Sequence, residues 1–373
     1  MTYLQVILSR NNDHASGSEL RDAANYSNLS SFSSVSRFFL KKSDGASSKG
    51  DLSATVLHLK RESIAELLRV IGEINPRILL FESVTLLEAV EAVRLAYPDV
   101  RIILDFHNVE SRLYRDMRLA RWPAPLRPLG AVLLRRRTEK ALEADRRVVE
   151  HATAVWVCSE EDRRLVQAFG VDRPVFVVPN PIPDWCLSAS DGNAGNGGDV
   201  LFVGQLRYGP NKLAVRELAT RIMPRLQRMR PDAGLHVCGR NPSRKMQRLL
   251  AGTGAKLTAN PRDLAPIYAA AGVAAIPLRQ GGGTRLKVLE ALAVGCPVVA
   301  TAKAVEGLGL VPGRHYLAAE TPEDFAEMLA RVLADAGLAA DLREAGRTFV
   351  LSNYGDGVRC ETVRQAVAAM REV

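Results

Sequence analysis

The densest run of chemistry-bearing residues is Gly281-Gly-Gly-Thr-Arg-Leu-Lys287, with Glu290 three positions further on. Three consecutive glycines let the main chain approach a ligand closely, and the apolar spacing after them predicts a helix over Thr284–Ala293. Free amides and the helix dipole make such a start an anion site. Arg285 and Lys287 then fall in the first turn, where a cation is disfavoured by ~0.3–1 kcal/mol unless something negative is held nearby. A diphosphate meets that need. Glu290 shares a face with Leu286 and Lys287 by four- and three-residue spacing. The run lacks the GxGxxG order of a dinucleotide fingerprint, and no GxxxxGK[ST] of a P-loop occurs. On these residues alone, a glycine turn ahead of an amphipathic surface helix competes with the anion site.

A second constellation is Leu104-Asp-Phe-His-Asn-Val-Glu-Ser111, directly after an apolar run. His107 and Asn108 are thereby expected at the carboxyl end of a strand, where open α/β sheets bind ligands. Asp105 and His107 could equally cap the next helix or pair with each other. From Arg112 to Arg147 the chain is strongly basic, with Trp122, Leu126, Leu129, Val132, Leu133 and Leu134 interleaved. That composition suits reversible contact with an anionic membrane surface or a phosphorylated lipid. A solvated helix with ordinary ion pairs to Glu139, Glu143 and Asp145 reads the same way. The histidines have no metal-ligand spacing, no Asp-x-Asp occurs, and no metal is expected. No serine or cysteine nucleophile with its base is evident. The five cysteines are odd in number and scattered, which argues against a disulfide framework and for a reducing, cytoplasmic setting.

These residues need a scaffold, and 373 residues exceed one ordinary core, so two domains are expected. The net charge of +9 fits anionic partners, but with only 6% aromatics and no nucleic-acid motif, nucleic acid is not among them. No apolar stretch is long enough to span a membrane, and the first residues read as a strand, not a signal peptide. Candidate strands are Leu4–Leu8, Ala54–His58, Ile78–Phe81, Ile102–Phe106, Ala154–Cys158 and Val175–Val178 in the first half. In the second they are Val200–Val203, Leu235–Cys238, Ala274–Ile276 and Val298–Ala300. Helix-period segments separate them, which predicts parallel sheets covered on both faces. The Ser- and Asn-rich segment Arg10–Phe32 stands out from this pattern. The chain is therefore read as two doubly wound, Rossmann-like α/β domains facing across a cleft. The first covers 1–183, a turn-rich linker covers 184–199, and the second covers 200–351, with a helix over 352–373 placed to pack back on the first. Two facing sheets favour an enzyme that handles two substrates.

At this level the second half resembles the nucleotide-sugar domain of the retaining glycosyltransferases of family 4, which have the GT-B fold. The matching stretches are Leu201-Phe-Val-Gly204 leading to Tyr208-Gly-Pro-Asn211, Val237-Cys-Gly-Arg240, and Lys287-Val-Leu-Glu-Ala-Leu-Ala-Val-Gly-Cys-Pro-Val-Val-Ala-Thr301. Val177-Val-Pro-Asn-Pro181 is similar to the boundary segment of that family. The resemblance implies transfer of a sugar from a nucleoside diphosphate to a hydroxyl acceptor with retention, in polysaccharide or glycoconjugate synthesis. It implies that Glu290 meets the ribose hydroxyls, while the family's preceding glutamate falls on Gly282, its usual arginine on Gln205, and its usual lysine is replaced by nearby Lys212. Exopolysaccharide-type transferases with Gly-Thr-x-x-Lys resemble the chain here, which would pass phosphate binding to Arg285 and Lys287 and sugar contact to Gly281–Gly283 beside Thr284. Gly204, Gln205 and Arg240 would complete the donor side. His107 and Asn108 would lie near the transferring sugar. Ser16 and Gly17 resemble the family's first glycine loop on the acceptor side. The implied partners are a nucleotide-sugar donor and a hydroxyl acceptor, lipid-linked if the basic stretch meets the inner face of a membrane. Two other readings stay open: a nucleotide-sugar epimerase of the same fold, and a sugar-nucleotide-binding protein without catalysis.

Overall fold

The computed structural model describes residues 2–9, 17–43, 55–120, 122–188 and 198–370, and divides the chain into two compact units. One comprises Met1–Pro181 with Asp356–Val373, the other Ile182–Gly355.

The first unit is built on a six-stranded, all-parallel sheet of β1 (Thr2–Leu8), β2 (Ser34–Leu40), β3 (Ile78–Phe81), β4 (Arg101–Phe106), β5 (Ala154–Val157) and β6 (Val175–Val177). Their spatial order is β2-β1-β3-β4-β5-β6. The inner strands are continuous apolar runs because helices bury both faces, as parallel sheets require. Alternate residues divide accordingly. Leu4, Val6, Leu79, Phe81, Ile102, Leu104, Val155 and Val157 form one core. Tyr3, Ile78, Leu80, Ile103, Ala154 and Trp156 form the other, sealed by Val363 and Val367 from the helix Asp356–Ala369 and by Met370 just after it. The order reverses between β1 and β3, and the carboxyl ends of these strands are where such a sheet offers a crevice.

The strand expected over Ala54–His58 is not formed. Ala54 lies outside the described residues, Thr55–His58 carries no strand, and Leu59 makes only an isolated bridge with Lys42. The second strand of the sheet is β2 instead, paired in parallel register from Thr2↔Ser34 to Leu8↔Leu40. The Ser- and Asn-rich segment before it yields the helix Gly17–Ser30.

The second unit repeats the plan with β7 (Asp199–Val203), β8 (Leu235–Gly239), β9 (Lys256–Ala259), β10 (Ala271–Ile276), β11 (Val298–Ala300) and β12 (Leu317–Ala318). The order is β12-β11-β10-β7-β8-β9, again all parallel, and counted from β7 it is the 3-2-1-4-5-6 winding of Rossmann sheets. Its reversal lies between β7 and β10. One apolar core fills this unit, from Val200 and Phe202 on β7 to Leu329 and Leu342 on the later helices. A short helix, Asp184–Ser188, precedes β7 and buries Cys186. Among the described residues, no helix is long and apolar enough to cross a membrane.

Candidate active site

In the second unit the residues singled out by the sequence gather at the carboxyl ends of β7 and β10. The helix after the glycine loop starts at Leu286, two residues later than the spacing suggests, with Arg285 as an extended N-cap. Gly281 (φ 124°) and Gly283 (φ 60°) adopt backbone angles that side chains resist, which sharpens the loop and delays the helix. Arg285 consequently lies outside the first turn. Its buried guanidinium folds over its own loop, donating to the carbonyls of Gly281 (2.7 Å), Gly282 (2.5 Å) and Gly283. In this arrangement Arg285 rigidifies the loop and is not presented as a phosphate ligand. Thr284 is buried beside it.

Lys287 does lie in the first turn and points toward the end of β7. Its Nζ donates to Asn211 Oδ1 at 2.7 Å and stands 4.4 Å from the centre of the Phe202 ring. A Cβ added at Gly204 would come within 2.6 Å of Nζ, so the glycine is what lets the ammonium through. Asn211 is itself oriented by donating to Gln205 O at 2.9 Å. Burial, reinforced by the charge of Arg285 and opposed by that of Glu290, pulls Lys287 down to about 7. Burial pushes Glu290 up to about 7 against the opposing pull of Lys287. The Glu290 carboxylate makes no hydrogen bond or ion pair among the described residues and keeps some solvent contact, so it is open to a ligand hydroxyl. Lys287 and Glu290 thus sit together at the start of the Leu286–Ala293 helix. Gly239 brings β8 close: a Cβ there would meet Gly204 O at 1.8 Å, and Arg240 O accepts from Leu206 N–H at 2.9 Å. The side chains of Gln205 and Lys212 are exposed.

In the first unit, His107 caps the carboxyl end of β4 inside a ring of acids. Its Nε2 lies 3.2 Å from Asp22 Oδ1, 3.4 Å from Asp105 Oδ2 and 3.7 Å from Glu82 Oε2. None of these is aligned as a hydrogen bond, so the attraction is between charges. Burial opposes a charged imidazole, but the three carboxylates hold His107 well above its usual range, as an imidazolium at neutral pH. Burial likewise works against Asp105, yet Arg21 and His107 keep it below the usual carboxylate range. Arg21 grips Asp105 with two bonds of 2.7 and 2.6 Å and also donates to Val178 O and Asn180 Oδ1. Glu82 is pushed up to about 8, by burial first and then by Asp105 and Asp22, against the opposing pull of His107. Asn25 bridges Glu82 and Asp105 with bonds of 2.8 Å. Arg359, fully buried, reaches in from the Asp356–Ala369 helix to Asn25, Asn28 and Pro179 O.

Asp22, Glu82 and His107 offer one ligand atom each within 4.8 Å of one another, a spacing that a divalent ion could bridge. The protein already balances these acids with Arg21 and the imidazolium, and an ion would have to displace the proton on His107. Asn108 is half-buried at the start of the next helix. Gly17 opens its helix and is exposed, and Ser16 lies outside the described residues. Burial pushes the Cys158 thiol up to about 11, so it is no nucleophile. Arg21, Asp22, Asn25, Glu82 and Arg359 were not singled out from sequence. Glu82 carried a signal, standing directly after the apolar run of β3, and Arg21 and Asn25 share one helix face by four-residue spacing. Arg359 carried none.

The basic stretch forms two packed helices, Glu110–Leu119 and Arg127–Glu150. Trp122 is half-buried against Gly130, where a Cβ would come 2.8 Å from the indole, so the ring fixes the turn and is not displayed. Leu126 (47%), Leu129 (53%), Val132 (70%) and Leu133 (63%) are exposed at the start of the second helix.

Residues 197–335 match the family model described as glycosyl transferases group 1. No curated protein sequence matches the chain. The fold is shared with sucrose-phosphate synthase from Thermosynechococcus elongatus (TM-score 0.71, 16% identity, 99% of this chain and 99% of that one). It is shared equally with a glycosyltransferase from Rickettsia africae (TM-score 0.66, 15% identity, 100% and 98%) and with Anabaena HepE in complex with UDP (0.68, 11%, 99% and 100%). The two parallel six-stranded sheets are those of the GT-B fold, and together with the family match they support a GT-B glycosyltransferase.

Proposed function

We propose that the protein transfers a sugar from a nucleoside diphosphate-sugar to a hydroxyl acceptor, with retention at the anomeric carbon. The observation that carries this reading is Lys287 Nζ, threaded past the bare backbone of Gly204 to the point where the second sheet reverses. A departing diphosphate there would meet the ammonium and the first amides of the Leu286–Ala293 helix, an electrostatic contribution of several kcal/mol to lowering the barrier. Glu290 would hold the ribose hydroxyls. In the first unit His107 acts as a fixed cation with its neighbours held in place, and not as a general base, because a proton bound so firmly leaves no lone pair for the task. No metal is assigned a step.

The acceptor is assigned to the first unit, at the inner face of a membrane when it is lipid-linked. The exposed Leu126, Leu129, Val132 and Leu133 beside Arg135, Arg136 and Arg137 support reversible contact with an anionic surface, by shallow apolar burial and charge together. HepE has been crystallised with UDP and with UDP-glucose, which makes uridine nucleotides the first donors to test. A thermal-shift screen against UDP-, GDP- and ADP-sugars should raise the midpoint for one donor, followed by product analysis with and without hydroxyl acceptors. Acceptor-dependent product identifies a transferase, rearranged donor without acceptor an epimerase, and binding without product a silent relative. No shift with any nucleotide-sugar would remove the reading.

A further inference from the structure

A cavity of about 370 Å3 opens in the second unit between the Gly209–Glu217 helix, the turn that follows it, and the segment Pro277–Gln280 leading into the glycine loop. Its walls include Leu213, Arg216, Glu217, Arg221, Arg279 and Gln280. The three arginines are not equivalent. Arg279 donates to Glu217 at 3.1 Å and stands 3.5 Å from Glu320, so its charge is answered within the protein. Arg216 and Arg221 are exposed, and neither side chain makes a hydrogen bond, ion pair or ring contact among the described residues. Two unanswered guanidinium groups therefore line one cavity.

The backbone is altered where this happens. In an uninterrupted α-helix, residues five apart point about 140° away from each other. Here Leu218–Ile222 forms a π-turn, with Met223 N–H donating to Leu218 O. That wider turn rotates positions five apart toward a common side. Pro224 gives the widening a local cause, since it has no N–H with which to continue the α-helical ladder. The consequence is that Arg216 and Arg221 serve the same cavity. Guanidinium pairs of this kind recognise phosphoryl oxygens through several directed N–H bonds at once.

We propose that this cavity binds a phosphoryl group between Arg216 and Arg221, as a second anion site next to the glycine loop. The proposal stands apart from sugar transfer, whose donor is assigned to the loop, Lys287 and Glu290. The same chemistry is offered by a soluble phosphorylated molecule and by a lipid headgroup, and the two sources can be told apart. Inorganic pyrophosphate is titrated calorimetrically into Lys287→Met protein, where the loop site is weakened, with and without Arg216→Ala/Arg221→Ala. The arginine pair should account for at least about a tenfold gain in affinity, and Arg216→Lys/Arg221→Lys should restore part of it. Binding of UDP to the otherwise wild-type Arg216→Ala/Arg221→Ala protein should be unchanged. Cosedimentation with phosphatidic acid vesicles supplies the second arm: parallel loss there assigns a lipid headgroup, and retention assigns a soluble phosphoryl ligand. Equal pyrophosphate affinity with and without the two arginines overturns the proposal. A Lys287→Met protein that still binds UDP at full strength overturns the loop assignment instead, and leaves this one standing.

Discussion

If Lys287 meets the diphosphate of a donor, binding must carry a proton with it. Burial holds the free side chain down to about 7, so roughly half the molecules lack the ammonium at pH 7. A nucleotide-sugar diphosphate keeps its charge across this range and requires the protonated form. Binding should therefore take up about 0.5 proton at pH 7 and about 0.9 at pH 8. The bound pKa is raised above the free value, so affinity is complete below pH 7 and is lost, by up to ~tenfold per pH unit, as pH rises toward the bound value. Glu290 works in the opposite sense. It is pushed up to about 7, and accepting from ribose hydroxyls would release about half a proton at pH 7, masking the uptake in wild-type protein. The remaining groups facing Lys287 do not titrate here: Asn211 is neutral and Arg285 is permanently charged. Glu290→Gln should thus unmask the proton uptake. Lys287→Met should cost ~1.5–3 kcal/mol of binding, less the ~0.4 kcal/mol already spent on protonation at pH 7. Calorimetry with UDP-glucose in two buffers of different ionisation enthalpy reads both quantities. A Glu290→Gln protein that takes up no proton between pH 6.5 and 8.5, or a Lys287→Met protein that binds as wild type does, would refute the reasoning.

Four further expectations rest on the first unit. The His107 imidazole should titrate by NMR above the ordinary histidine range, because its stabilising charge is lost only as pH rises through its raised folded value, and a midpoint near 6.5 would contradict the acidic ring. His107→Ala should lower turnover by about tenfold or more while donor affinity stays within about twofold, whereas equal losses would make the residue structural. Arg359→Leu leaves the oxygens of Asn25, Asn28 and Pro179 without their donor and should cost ~3–5 kcal/mol in urea unfolding, with a loss under about 1 kcal/mol counting against the network. Replacing Arg135, Arg136 and Arg137 by Ser should abolish low-salt cosedimentation with anionic vesicles while nucleotide binding persists; no association of wild-type protein at low salt would leave a soluble acceptor.

The strands that reasoning from sequence missed share one property. β2, β9 and β12 are all sheet edges. Inner parallel strands are buried on both faces and read as unbroken apolar runs, so β3, β4, β5, β7 and β10 announce themselves. An edge strand need satisfy only one neighbour. β2, Ser34-Val-Ser-Arg-Phe-Phe-Leu40, is exposed or half-exposed at all but its last residue, and β12 is two residues long. Ser-rich chain of that kind reads as loop. The site divides along a similar line. Gly281–Gly283, Lys287 and Glu290 are legible because one loop and one helix turn hold them. The acids around His107 come from three separate places in the chain, and nothing local in the sequence says that Asp22 and Glu82 converge on β4. Arg285 stands just before the helix because spacing gives the position of a side chain on a helix, but not where the helix begins.

The helix Asp356–Ala369 has a consequence in time. The second unit is an interruption of the first: residue 181 leaves it and residue 356 returns to it. Asn28 is made 331 positions before its partner Arg359. At ~5–20 residues per second, roughly 20–60 s of synthesis separate the two. During that interval Tyr3, Ile78, Leu80 and Trp156 have no cover from Val363, Val367 and Met370, and Asn25 lacks its guanidinium. The second unit, by contrast, is continuous and can close as soon as its own strands have emerged. The half that is written first should therefore be the last to fold, and it is this half whose exposed apolar face would need a chaperone while the ribosome finishes.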